Sequence, residues 1–260
     1  MIFLSSYKPL VDNRLISFLG KKQKEFAKVN HWGTDVIEKL LPFVSTGKTI
    51  RGGLLCYAYS LFEKIPSDSV LDAAAALELF HSGFLIHDDI MDGDTMRRGR
   101  PTLHVQYTSD ALAMCIGDLC FFLGNQLLPV QVQKYVSREL SYVTIAQMQD
   151  VAGAQSQKDI LSLYTYKTAR YSFSVPLAVG ARLAKAEDET ISKLEALGEY
   201  MGILFQIRDD EIDGTPSPLS NAIKKQLIQK ADKKIYELPI DENRIKELAA
   251  LVEFCHNRQA

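Results

Sequence analysis

The strongest constraint on this chain is a pair of acid clusters, each closing a long apolar run. Asp88, Asp89 and Asp92 follow FHSGFLIH in the form D-D-x-x-D, and Asp209, Asp210 and Asp213 repeat that spacing after MGILFQIR. On an α-helix, residues i and i+4 share a face one turn apart, about 6 Å along the axis. Asp88 with Asp92, and Asp209 with Asp213, therefore present paired carboxylates on helices whose preceding turns are apolar. Like charges at that spacing destabilise a bare helix, and buried carboxylates need partners. One such cluster reads as readily as an acidic surface patch. Two copies, each behind an apolar run, point to a cation. Ligation by oxygen alone, without His or Cys, favours a hard ion such as Mg²⁺, which binds through one or two carboxylates and completes its shell with water and phosphate oxygens.

The rest of the chain is helical in pattern. Ile50, Leu54, Leu55, Ala58, Leu61 and Phe62 form one apolar face, and Val70, Ala73, Leu77, Phe80, Phe84 and Leu85 form the next. The same reading predicts helices over 8–28, 107–127, 131–156, 159–184, 188–212, 220–236 and 241–256, with breaks at 30–35, 64–69, 93–102 and 213–221 where turn formers gather. Alternating strands are absent from the pattern. The expectation is one all-α domain over 1–260, a bundle of about ten helices. A net charge of −2 gives no support to bulk nucleic-acid binding. The four cysteines (Cys56, Cys115, Cys120, Cys255) show no zinc or C-x-x-C spacing and read as reduced core residues of a cytoplasmic protein. The first residues lack the pattern of a signal peptide. The best candidate for a membrane span, 111–130, is interrupted by Asp118, Asn125 and Gln126, so a buried helix is expected.

Bases follow the acids. Arg97 and Arg98 trail the first cluster, Lys48 and Arg51 lie in STGKTIRGG, and Lys167 stands beside Thr168 in YKTARY. Arginine forks and lysine point charges are the usual holders of phosphate, and Gly47, Gly52 and Gly53 would let a backbone approach one. Alone, GKTIRG is weak, and it does not fit the Walker A pattern. Acids with a metal on one side and separate bases on another suggest two phosphorylated ligands.

From about residue 44 to 213 these motifs together resemble the trans-isoprenyl diphosphate synthase (polyprenyl synthetase) family, short-chain type. The resemblance rests on Gly47, Lys48 and Arg51, on DDIMDGDTMRRGRPT, on IGD at 116–118, on Gln147 with Asp150, on Lys167-Thr168 and on FQIRDD at 205–210. It implies an isoprenoid synthase-like bundle around a central apolar substrate tunnel, a homodimer, and Mg²⁺ bound as three ions with diphosphate. It implies that Lys48, Arg51, His81 and Arg98 hold isopentenyl diphosphate, and that Arg97, Lys167, Thr168 and Gln206 hold an allylic diphosphate. Asp88, Asp92 and Asp209 would ligate Mg²⁺, with Asp89, Asp210 and Asp213 in support. The implied reaction is head-to-tail condensation through an allylic carbocation, with Asp88, Asp92, Asp209, Lys167 and Arg97 as its catalytic groups.

Phe84 and Phe80 stand four and eight residues before Asp88, so they continue its helical face inward. In the family, bulky residues at the fourth and fifth positions before the first aspartate shorten the product; here these are Phe84 and Gly83, and C15 to C20 products are expected, with a plain core role for Phe84 as the alternative. The chain departs from the family at two places. Thr49 occupies the position of a second basic residue, and after Asp213 the usual Gly- and Lys-bearing loop gives way to DGTPSP and a polar helix. That jump is either a true deletion or a segment missing from this sequence. Among rivals, a di-iron bundle would use Glu78-x-x-His81 and Glu253-x-x-His256. A class I terpene cyclase would mix Asn, Ser and Glu in its second metal motif, and a catalytically silent partner subunit would usually have lost an aspartate motif.

Overall fold

Long helices separated by short breaks give the chain its architecture, and the computed structural model describes residues 6–153, 156–214, 217, 219 and 221–259. The chain forms two compact units. Among the described residues, the first gathers 6–53 with Ser67–Pro129, and the second gathers Leu54–Pro66 with those from 130 to 259.

The first unit is organised by α1 (Lys8–Phe26), α2 (Trp32–Ser45), the opening turn of α3 (Ile50–Ser60), α4 (Asp68–Asp92), α5 (Leu103–Tyr107) and α6 (Asp110–Leu127). Helix α4 propagates through Ala73–Ala76, the best helix former, and ends at Gly93, whose φ of 69° closes an αL cap on the carbonyls of Asp89 and Ile90. It packs on α6 at close range. A Cβ at Gly117 would fall 2.2 Å from the His87 ring, and one at Gly83 would fall 2.9 Å from the Gly117 carbonyl. Helix α1 is clamped to α4 by a two-pronged Arg14–Asp72 pair at 2.7 Å. Helix α6 starts at Ser109, whose hydroxyl accepts the Leu112 N–H.

Between α4 and α5 the chain forms one very short strand pair, which shows no alternation and leaves the all-α expectation standing. Met96–Arg97 (β1) pairs antiparallel with Arg100–Pro101 (β2) across a two-residue loop, Arg98-Gly99, with both φ values positive at 52° and 74°. A two-residue loop with positive φ at both positions is the tight hairpin turn whose twist suits a strand pair. Strands of two residues are too short to show alternation. Helix α2 also begins at Trp32, inside the expected break at 30–35. The described helix long and apolar enough to cross a membrane is α4 rather than 111–130, and most of its apolar window is buried.

The second unit contains the rest of α3, α7 (Val130–Ala152), α8 (Gln157–Leu163), a π-helical stretch π1 (Tyr164–Ser174), α9 (Val175–Leu183), α10 (Asp188–Ile212), α11 (Asn221–Tyr236) and α12 (Glu242–Asn257). The helix expected over 159–184 is thus three pieces, and that expected over 131–156 stops at Ala152, before Gly153 with φ of 86°. A long π stretch is rare and persists only where tertiary contacts hold it. Here Arg170, within π1, reaches Glu139 on α7 at 2.8 Å and Glu195 and Glu199 on α10 at 3.0 and 3.1 Å. Close packing adds to this, since a Cβ at Gly202 of α10 would meet the Ala169 backbone at 2.3 Å. Cys56, Cys120 and Cys255 are buried as expected, whereas Cys115 is exposed. Residues 215, 216, 218 and 220, in the segment where the sequence departs from the family, lie outside the described residues.

Candidate active site

In the first unit, the last turn of α4 and the β1–β2 hairpin form one charged group. Asp88 is half-buried, Asp89 is 1% exposed, and Asp92 is exposed. Arg97 donates from Nε to Asp89 at 2.5 Å and from Nη2 to Asp94 at 2.9 Å. The blocked charges of this stretch therefore meet one another across the turn at Gly93. Burial pushes the Asp89 carboxyl up to about 6, and Arg97 opposes that rise. Its Oδ2 is buried without a hydrogen-bond partner among the described residues.

Arg98 occupies a backbone conformation that costs an L-residue about 1–2 kcal/mol. Its Nη1 donates to the Phe43 carbonyl at 3.2 Å, and a Cβ at Gly47 would lie 3.0 Å from that nitrogen. Gly47 thus makes room for Arg98. The space beside Gly52 is likewise filled, by Val11, Ala74 and Glu78. These two glycines serve close packing, whatever approach a phosphate makes. A cleft of about 270 Å³ between α2 and the hairpin is lined by Arg97, Arg98, Arg100 and Lys39, with Asp35 and Glu38. Lys48 is exposed and Arg51 is half-buried. Burial, with Arg51 and Arg98 nearby, holds the His81 imidazole well below its ordinary pKa, so it is neutral. Thr49 is buried, donates to Asp12 at 3.1 Å and accepts from Lys8 at 3.2 Å. A lysine from α1 therefore stands beside the position where the family carries its second base.

Phe80 is fully buried, whereas Phe84 is half-buried and meets Phe121 of α6 edge-to-face at 5.0 Å. Gly83 has no room for a side chain, because Gly117 and Phe121 occupy that space. An aromatic residue in this part of α4 is therefore accommodated at 84 and not at 83.

In the second unit, Asp209 and Asp210 are half-buried, and Asp213 is exposed at the end of α10, its N–H bonded to the Asp209 carbonyl at 2.9 Å. Gln206 donates to Asp210 at 2.9 Å and accepts from the Thr168 hydroxyl at 2.8 Å. Lys167 pairs with Asp150 of α7. The expected residues Thr168, Gln206 and Asp210 are thus joined in one chain of hydrogen bonds, and Lys167 is joined to Asp150, which the resemblance pairs with Gln147. Two participants were not expected. The Tyr164 hydroxyl donates to Asp210, and Arg258 pairs with Asp209 while its guanidinium lies 4.1 Å from the Phe205 ring centre. Tyr164 stands four residues before Thr168 on one helical face, so its position was readable; Arg258, from beyond α12, left no local signal.

Among the described residues no group of three His, Cys, Asp or Glu side chains closes around an ion. The donors present nonetheless fit Mg²⁺. They are carboxylate oxygens only, the paired aspartates sit at one-turn spacing, and Asp89 retains an orphaned buried oxygen. Glu78 and Glu253, with their histidines, take no part in any such three-residue group; Glu78 binds the Gly52 N–H, and Glu253 is an exposed partner of His256.

The polyprenyl synthetase family model matches residues 32–232. The chain is 30% identical over 224 residues to the short chain isoprenyl diphosphate synthase of Methanocaldococcus jannaschii, covering 82% of this chain and 64% of that one. It is 34% identical over 183 residues to the geranylgeranyl diphosphate synthase of Methanosarcina mazei, covering 65% and 55%. It thus spans between about half and two thirds of the length of these relatives. Among solved structures it resembles a geranylgeranyl pyrophosphate synthase from Corynebacterium glutamicum, complexed with isoprenyl diphosphate and magnesium, with a TM-score of 0.84, 22% identity and coverage of 98% and 99%. The fold is that all-α fold, and with a family match over most of its length the chain belongs to the polyprenyl synthetase family.

Proposed function

We propose that this protein is a short-chain prenyl diphosphate synthase, joining isopentenyl diphosphate head to tail to an allylic diphosphate in a Mg²⁺-dependent reaction. The observation that carries this reading is the pair of complete D-D-x-x-D motifs, on the last turns of α4 and α10, in a chain of this family. Their completeness disfavours a silent partner subunit. Residues 1–260 are read as one prenyltransferase domain.

On this reading Asp88, Asp92 and Asp209 hold the metal, with Asp89, Asp210 and Asp213 in support. When bound, three Mg²⁺ ions would neutralise the charge that grows on the diphosphate as the allylic C–O bond ionises. Arg97, Lys167, Thr168 and Gln206 grip that allylic diphosphate, and Lys48, Arg51, His81 and Arg98 grip isopentenyl diphosphate. The isopentenyl double bond attacks the allylic cation, and the departing diphosphate takes the proton lost afterwards. Water would quench the cation, so the apolar tail runs in a dry tunnel along α4 towards Phe84 and Phe80. Removing divalent metal with a chelator is expected to abolish product formation, and added Mg²⁺ is expected to restore it. Activity that survives chelation would refute the metal assignment.

Phe84, braced by Phe121, is read as the residue that sets C15 to C20 products. Phe84→Ala is expected to lengthen the product by at least one C5 unit, measured by chromatography of the dephosphorylated alcohols. An unchanged product would return Phe84 to a core role. A homodimer is supported by exposed apolar side chains on α7, where Tyr142, Ile145, Met148 and Val151 each neighbour the next at i+3. Large exposed apolar surface of this kind marks an interface. A cytoplasmic location agrees with four free cysteines.

A further inference from the structure

Glu78 has no role in the chemistry above, yet it is a carboxylate buried to 6% exposure in the middle of α4. Burying an ionisable group is costly unless it is hydrogen-bonded. Its Oε1 accepts the Gly52 N–H at 2.8 Å. That N–H belongs to the first turn of α3, whose amides have no partner within their own helix and carry the positive end of the helix dipole. Glu78 therefore caps α3 from a neighbouring helix. The contact is tight, since a Cβ at Gly52 would lie 3.4 Å from Glu78 Cγ and 3.2 Å from the Ala74 carbonyl. The capped turn contains Arg51 and begins directly after Lys48 and Thr49, where the chain enters the helix through a φ of 53° at Thr49. Burial raises the Glu78 pKa, and Arg51, the Gly52 N–H and Arg98 act against that rise.

We propose that Glu78 is a positioning residue for isopentenyl diphosphate: its carboxylate fixes the first turn of α3 so that Lys48 and Arg51 meet the diphosphate in one geometry. The inference rests on the function proposed above and adds a residue that touches neither substrate nor metal. Glu78→Met keeps the side-chain volume and removes the acceptor, whereas Glu78→Gln retains an oxygen that can accept the Gly52 N–H.

Steady-state kinetics with each substrate varied in turn separate this role from a structural one. Glu78→Met is expected to raise KM for isopentenyl diphosphate about tenfold, the scale of one lost charge-assisted hydrogen bond. The allylic KM and kcat should stay within about threefold, and Glu78→Gln should recover most of the loss. An unchanged KM, or an equal rise in both KM values, would overturn the proposal. Should Glu78→Met not fold, Glu78→Asp decides: its carboxylate is too short to reach Gly52, so the same selective rise is expected, and its absence overturns the proposal. A wild-type protein that condenses nothing would refute the proposed function instead. The positioning role would then be read by titrating isopentenyl diphosphate alone into wild type and Glu78→Met, with binding about tenfold weaker in the variant expected and equal binding overturning it.

Discussion

Asp88→Ala is expected to lower condensation turnover by about a thousandfold or more, with the fold unchanged. The magnitude follows from the proposed role of Asp88 as a metal ligand. Removing a single neutral donor to a developing oxyanion costs roughly 10²–10³ in kcat, and a metal ligand adds full charge to that loss. The retention of fold follows from the site. Asp88 is half-buried at the end of α4, one turn from the like-charged Asp92, so its removal relieves repulsion and leaves the apolar face of the helix intact. Turnover measured with labelled isopentenyl diphosphate, beside a thermal melt, checks both halves. Turnover within tenfold of wild type would show that Asp88 is not a metal ligand.

Arg170→Ala is expected to be the most destabilising single change considered. Arg170 is ringed by Glu139, Glu195 and Glu199, and burial cannot offset so many acids, so its guanidinium is held more firmly charged than usual. The decisive partner is Glu139, whose side chain is 1% exposed. Arg138 also donates to it at 2.8 Å, but the Arg138 side chain is 51% exposed and compensates in part only. Breaking a buried pair by removing one partner costs about 3–5 kcal/mol, because the other charge is left in a poor solvent. At about 2–4 °C per kcal/mol for a domain of roughly this size, the melting temperature should fall by roughly 10 °C. The π1 stretch should relax with it, since Arg170 ties π1 to both α7 and α10. A fall of a degree or two would mean that the cluster is solvated.

Helix existence was legible because it depends on local spacing. The apolar faces of α3 and α4, and the carboxylates at i and i+4, are read directly from the chain. The candidate site residues Asp88, Asp209, Lys167 and Gln206 are proposed from motif alone. What stayed hidden depends on distant partners. The π1 turn exists where Arg170 finds acids on two other helices, and nothing within YTYKTARYSFS shows those acids. The pairing of Asp209 with Arg258 links residues far apart in sequence. The β1–β2 hairpin is two residues to a strand, below the length at which alternation is visible. Glu78 was seen, as half of a di-iron motif, but its partner is a backbone N–H, which no side-chain pattern can reveal.

The central claim is the condensation itself. The protein should be incubated with Mg²⁺, labelled isopentenyl diphosphate and C5, C10 or C15 allylic diphosphates, and the products sized. The account predicts label in C15 to C20 isoprenyl diphosphates with at least one primer, and none when the allylic diphosphate is omitted. No incorporation with any primer, from a folded and Mg²⁺-supplied protein, would contradict it.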